Sequence, residues 1–124
     1  MIVKNGDIIH LDNYPVDHRK TKWAIVVASE MKWCFCINTN NRSIYACLPI
    51  VKVKYSFLLN EEHYVACSMP IVYNERNITK KSGRLDLEDL KRLQNHIGSV
   101  KTLAIKYRNI IISNIQNEIN QYKT

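Results

Sequence analysis

Two short polar stretches hold the residue types with which a protein can act on a phosphodiester. The first, His18-Arg19-Lys20-Thr21-Lys22, gathers an imidazole, two lysines and an arginine. The second, Asn38-Thr39-Asn40-Asn41-Arg42, offers amides, a hydroxyl and a guanidinium without an aliphatic side chain. Cleavage of RNA without a metal needs such groups. Cations stabilise the charge that builds on a phosphorane-like transition state, polar groups orient the ribose 2′-hydroxyl, and a base takes its proton. His18 is the natural acceptor, because the neighbouring Arg19 and Lys20 favour its neutral form. Tyr14, Trp23 and Tyr45 flank the two stretches and could stack on unpaired bases. The same residues also fit a solvated loop with Trp23 in the core, so residue types alone leave both readings open.

For the two stretches to meet, the chain between them must form a hairpin. Residues 23–29 and 33–37 are apolar, β-branched runs around a break at Glu30-Met31-Lys32, the pattern of paired strands buried on both faces. Lys22 precedes the first run and Asn38 follows the second, which puts both at one end of an antiparallel pair. Before the hairpin, residues 6–11 read as a first strand. After it, residues 50–54, 64–67 and 71–73 supply further strands, five or six in all.

The period changes at residue 86. Asp86 is an N-cap, Leu87, Leu90, Leu93 and Ile97 recur at helical spacing, and Gly98 ends the helix. Ser99 is expected to cap a second helix with the apolar stripe Val100, Leu103, Ala104, Tyr107, Ile111, Ile115 and Ile119. That stripe must be covered, by the chain's own strands or by a second copy. Strands first and helices last argue for an α+β fold or a small barrel with appended helices, in a single domain over residues 1–124 with the strands in about 1–85 and the helices in about 86–124.

Bulk properties agree with one intracellular domain. The chain has 124 residues, 46% of them hydrophobic, and a formal charge of +7, which suits an anionic partner such as nucleic acid. Neither a secretory leader nor a membrane span is legible, so a cytoplasmic location is expected and the acceptor-like triplets Asn41-Arg42-Ser43 and Asn77-Ile78-Thr79 are read as chance. Cys34, Cys36, Cys47 and Cys67 sit in apolar runs, as small reduced core residues do. There is no phosphate-binding glycine loop, nucleophile elbow or zinc spacing, so neither metal nor cofactor is expected.

Several segments, in order, resemble the MazF/PemK (Kid) family of toxin-antitoxin ribonucleases. They are Asn5-Gly6-Asp7-Ile8-Ile9, a polar loop into Ala24-Ile25-Val26-Val27-Ala28-Ser29, Cys34-Phe35-Cys36-Ile37-Asn38-Thr39, Tyr64-Val65-Ala66-Cys67-Ser68, and Ile78-Thr79-Lys80-Lys81-Ser82-Gly83-Arg84-Leu85 leading into Asp86-Leu87-Glu88-Asp89-Leu90. The resemblance covers residues 5–103. It implies an SH3-like barrel with a C-terminal helix, a homodimer, cleavage of single-stranded RNA, and silencing by a cognate antitoxin. Lys22 stands nearest the family's loop-end cation and Thr39, with Asn38 or Asn40, nearest its strand-end hydroxyl; on the ribonuclease reading Lys22 and Arg19 act on the phosphate, Thr39 with Asn38 or Asn40 on the 2′-hydroxyl, His18 or a cation in proton transfer, and Lys20, Arg42 and Trp23 lie along the RNA. Lys22-Trp23 stands where the family carries Arg-Pro, and lysine keeps the charge but loses the planar fork that grips two oxygens. The alternative is a non-catalytic member of the fold that binds nucleic acid or, as CcdB-like proteins do, a protein target.

Overall fold

The computed structural model describes residues 2–12 and 21–122. At its centre lie β1 (Asp7–Leu11), β2 (Lys22–Ala28) and β3 (Trp33–Asn38), paired antiparallel in that order. Successive side chains of a strand point to opposite faces, and here both faces are buried. Ile8, Ile25, Val27, Phe35 and Ile37 enter one core, while Ile9, Leu11, Ala24, Val26, Cys34 and Cys36 enter the other. Continuous apolar runs rather than alternation are therefore what the sequence shows. Cys34, Cys36 and Cys67 are buried and no cysteine is disulfide-bonded; burial pushes the Cys34 thiol up to about 12, with Cys36 adding to the shift.

Around this centre run β4 (Leu48–Val51), β5 (Glu62–Val65), β6 (Ile71–Val72) and β7 (Ile78–Arg84). The sheet has seven strands in the order β4-β5-β3-β2-β1-β7, with β6 also against β3, and every ladder is antiparallel. It is an open sheet, not the closed SH3-like barrel expected from the sequence, because its end strands β4 and β7 do not pair. The physical reason lies in the helices. The apolar face that a barrel would bury by closing is covered by Leu90, Leu93, Ile97, Ile111, Ile115 and Ile119. β5 and β6 share one edge of β3, with Ile37 opposite Val65 and Cys34 opposite Ile71.

Two further expectations change. The strand expected over residues 50–54 ends at Val51, and the amide of Lys54 turns back to the Val51 carbonyl at 3.1 Å. β7 is additional: its Ile78-Thr79-Lys80-Lys81-Ser82-Gly83-Arg84 is mostly exposed and cationic. Charged, poorly alternating sequence is how an edge strand avoids pairing with other chains, and it also hides the strand from a hydrophobic pattern.

Helices α1 (Leu87–Gly98) and α2 (Ile105–Tyr122) follow. Asp86 caps α1 as expected, its Oδ1 accepting the Asp89 amide at 2.8 Å. Ser99 does not cap α2. It closes α1 instead, its amide and Oγ both donating to the His96 carbonyl at 3.0 and 2.8 Å. Residues 99–104 form a turn that buries Val100 and Leu103. Arg108 Nη2 holds that turn by donating to the carbonyls of Val100 at 2.7 Å and Leu103 at 3.1 Å. Within α2, Ile111, Ile115 and Ile119 stack at four-residue spacing against α1 and β2, so the stripe is covered by the chain's own sheet and helix. Among the described residues no helix is long and apolar enough to cross a membrane.

The N-terminal segment is tied in by Asn5, whose Nδ2 donates to Asn114 Oδ1 of α2 at 3.1 Å while its Oδ1 accepts the Ser29 amide at 2.7 Å. Gly6 follows at φ +91°, and a Cβ there would meet Leu90 Cδ2 at 3.0 Å. Only glycine meets both conditions without strain.

The start of α1 is fixed by a buried carboxylate. Asp89, 1% exposed, accepts from Tyr55 Oη at 2.5 Å and from Arg92 Nη1 at 2.7 Å. Lys54 lies 3.6 Å away, and Arg92 Nη2 continues to the Pro49 carbonyl at 3.1 Å. Burial alone would raise the Asp89 carboxyl, but the bonds from Tyr55 and Arg92 and the charges of Lys54 and Arg92 outweigh it and hold the group below its ordinary value. The Tyr55 phenol is raised, first by its own burial and then by Asp89, and so stays a donor.

Because the folded carboxyl is depressed, its contribution to stability is present above the ordinary value of 3.8 and is lost as pH falls through the lower folded value. Asp89→Ala should cost about 3 kcal/mol, the low end for breaking a buried pair because Arg92 is partly solvated. Urea denaturation at neutral pH should show this loss, and the difference between the variant and wild type should shrink on acidification below that window.

Candidate functional site

One end of the central sheet carries Lys22 and Asn38, two of the groups singled out in the sequence. Lys22 opens β2 and Asn38 closes β3, so the hairpin brings them together as expected. Lys22 Nζ donates to Asn38 Oδ1 at 3.3 Å, and Cys36 Sγ donates to the same oxygen at 3.1 Å. Beyond β3, Thr39, Asn40, Asn41 and Arg42 are exposed. The loop that carries them is anchored by backbone. The Tyr45 carbonyl accepts the amides of Cys67 at 2.9 Å and Ser68 at 3.1 Å, and the Arg42 carbonyl accepts the Tyr45 amide at 3.0 Å.

The hairpin end thus carries the ammonium of Lys22 on the amide of Asn38, and the exposed Thr39, Asn40, Asn41 and Arg42 follow Asn38 in the chain. Lys22 is only partly exposed, and its bond to Asn38 aims the ammonium without neutralising it. This end is not purely cationic. Asp12 follows Leu11, which pairs with Lys22, and Glu62 stands two residues before Tyr64, which pairs with Asn38. The Glu62 carboxylate is occupied by Tyr64 Oη at 2.7 Å, and that bond, with burial and the charges of Glu62 and Cys47, raises the phenol above its ordinary range. His18, Arg19 and Lys20 lie outside the described residues.

Trp23, partly buried, lies on the other face of the sheet from Lys22. Being one residue on from Lys22 in the same strand, it points to the opposite face, where it packs against the core that holds the helices. There it meets a group of side chains that the sequence reading did not single out. Its ring lies 4.6 Å from His10 and 4.7 Å from Phe57, centre to centre. Lys80 Nζ sits over it at 5.4 Å, a cation–π contact worth about 0.5–1 kcal/mol at an exposed site. Register explains the group: His10 is opposite Trp23 across β1–β2 and opposite Lys80 across β1–β7.

Thr79 Oγ1 lies 2.7 Å from His10 Nδ1 and 3.2 Å from the His10 carbonyl. When the hydroxyl proton is given to the carbonyl, Nδ1 carries the hydrogen of the bond between the two side chains and Nε2 of the neutral ring is an acceptor. The other described histidines are bound in place: His63 Nε2 accepts the Asn60 amide at 3.1 Å, with burial lowering its pKa, and His96 Nε2 meets the Ala46 carbonyl at 2.6 Å.

His10, Thr79 and Lys80 escape a reading by neighbourhood because 69 residues separate the bonded pair. The signal that could have found them is the alternation of Thr79 and Lys80 on an edge strand opposite β1. No protein-family model matches the chain, and no curated protein sequence matches it.

The neutral His10 ring should be the Nδ1–H form. Nitrogen-15 chemical shifts of the imidazole at alkaline pH should show Nδ1 protonated and Nε2 bare, and Thr79→Ala should return the ring to a mixture of tautomers.

Proposed function

We propose that this chain binds single-stranded RNA across the end of its sheet and cleaves it without a metal ion. The observation that carries the proposal is the Lys22 ammonium held by Asn38 at the hairpin end, beside exposed Thr39, Asn40 and Arg42. The +7 charge of the chain favours a polyanionic partner.

In this reading the ribose 2′-oxygen attacks the adjacent phosphorus. The P–O2′ bond forms, the P–O5′ bond breaks, and the products are a 2′,3′-cyclic phosphate and a 5′-hydroxyl. Lys22, with Arg19 three residues before it in the chain, stabilises the equatorial oxygens as charge grows on them. Thr39 with Asn38 or Asn40 orients the 2′-hydroxyl, His18 or a neighbouring cationic side chain in its neutral form takes the proton, and the departing 5′-oxygen receives it in turn. Lys20 and Arg42 follow the backbone.

The finer assignment belongs to the same proposal: an opened variant of the SH3-like barrel of MazF/PemK toxins, acting in the cytoplasm as a homodimer under the control of a cognate antitoxin. Its support is the ordered resemblance of residues 5–103 together with the antiparallel sheet and C-terminal helices. One observation favours a second reading, binding without cleavage: an ammonium at position 22 lacks the two-pronged grip of a guanidinium on a phosphoryl group.

Purified protein incubated with long single-stranded RNA in EDTA should generate discrete new ends carrying 5′-hydroxyls. Lys22→Ala should lower the rate by about 10²-fold or more, as removal of one transition-state donor does, while its circular dichroism and urea midpoint stay those of wild type. Intact RNA in the presence of folded wild-type protein would exclude the ribonuclease reading and leave the binding one.

A further inference from the structure

We propose that His10, Trp23, Phe57 and Lys80 form a stacking site for an unpaired nucleotide, on the face of the sheet opposite Lys22. The choice of a single-stranded nucleic acid as occupant rests on the RNA reading above. The geometry of the site stands independently of any cleavage chemistry.

Three features set this group apart from ordinary core packing. The first is that three aromatic rings meet at the sheet end and none of them is fully buried: His10, Trp23 and Phe57 all keep solvent contact. The second is that the platform is held rigidly. His10 and Trp23 are fixed by strand register. Phe57 comes from a loop whose flanking Tyr55 and Leu58 are 6% and 2% exposed, so Phe57 is presented between two anchors rather than free to collapse. The third is Lys80. Its ammonium lies over the Trp23 ring, and no ion pair ties it to a carboxylate among the described residues. A cation over an indole face occupies the place a base would take. When a base stacks there, the ammonium moves to the side, where the phosphate of the same nucleotide lies.

The chemistry of the occupant follows. A flat, electron-poor ring suits the aromatic platform, and a phosphate suits Lys80. His10 Nε2, an acceptor when Nδ1–H bonds Thr79 Oγ1, can receive a hydrogen bond from an exocyclic amine, an imide N–H or a ribose hydroxyl. A nucleotide supplies all of these, whereas an acidic peptide supplies the charge without the ring. Lys22 and Trp23 are consecutive at the start of β2, so a nucleic-acid strand that passes over that end of the sheet can place one phosphate on the first face and an adjoining base on the second.

The test uses a fluorescein-labelled 2′-O-methyl oligouridylate, which keeps the ribose shape and blocks attack by the 2′-oxygen, so binding is read apart from cleavage. Wild type should bind it with quenching of Trp23 fluorescence, over the constant signal of buried Trp33. Trp23→Leu should weaken binding about tenfold and abolish the quenching, as loss of one base–aromatic stack does. His10→Ala and Lys80→Ala, both at the surface, should weaken it several-fold. Lys80→Ala should also reduce the slope of log K against log salt by about 0.7, the value for one phosphate contact on a single strand. Absence of binding by wild type would overturn the site, as would binding unchanged in the two surface variants. A parallel digest of unmodified RNA separates the two ideas: cleavage without platform-dependent binding removes this proposal alone, and platform-dependent binding without cleavage removes the ribonuclease alone.

Discussion

Burial of both faces of β1, β2 and β3 is the constraint on which the rest of this protein depends. A one-residue slip would send every side chain of a strand to the opposite face, and here the alternate residues of each strand fill two different cores, so both faces hold the register. Ile8 and Ile9, or Val26 and Val27, are near-identical side chains committed to different interiors. The register so fixed dictates where the chemistry goes. Lys22 must emerge on one face beside Asn38, and Trp23 on the other beside His10. The two groups of functional side chains are consequences of one pairing, and neither could move without dislocating both cores.

The two cores are covered by different means. One receives the helices, whose leucines and isoleucines arrive at helical spacing. The other is closed by Tyr73 and by partly buried Val3, Ile71 and Ile78, drawn from segments without regular apolar periodicity. Asp89 locks the first arrangement. By joining Tyr55 to Arg92, and Arg92 to the Pro49 carbonyl, it ties α1 to β4 and to the loop that presents Phe57. A carboxylate almost without solvent is stable there because its partners are charged or strongly polar and geometrically fixed.

How much of this was legible follows from the range over which each signal acts. β1, β2, β3 and the Asp86 cap could be read because continuous apolar runs and a capping carboxylate are local. The proximity of Lys22 and Asn38 was legible too, since a hairpin fixes which ends meet. β7 was missed because its lysines erase the hydrophobic alternation that marks interior strands. Ser99 was misassigned because serine serves a helix start and a helix end equally well, and only the buried turn at Val100 and Leu103 decides between them. The open sheet could not be distinguished from a barrel, since closure depends on whether helices or strands cover a given face. His10, Thr79 and Lys80 belong to a long-range pairing, which no local pattern reports.

The Asn5–Asn114 bond joins residues 109 positions apart, and this bears on how the molecule is made. During synthesis β1 emerges with one edge that only β7 will satisfy, and the sheet face destined for α2 stays apolar and uncovered until Ile111, Ile115 and Ile119 leave the ribosome. Local hairpins can form early, but the structure commits only when its distant partners are present. Such non-local topology folds slowly. A half-made chain displays an unpaired strand edge and a bare hydrophobic sheet, the surfaces on which nascent proteins aggregate or recruit chaperones.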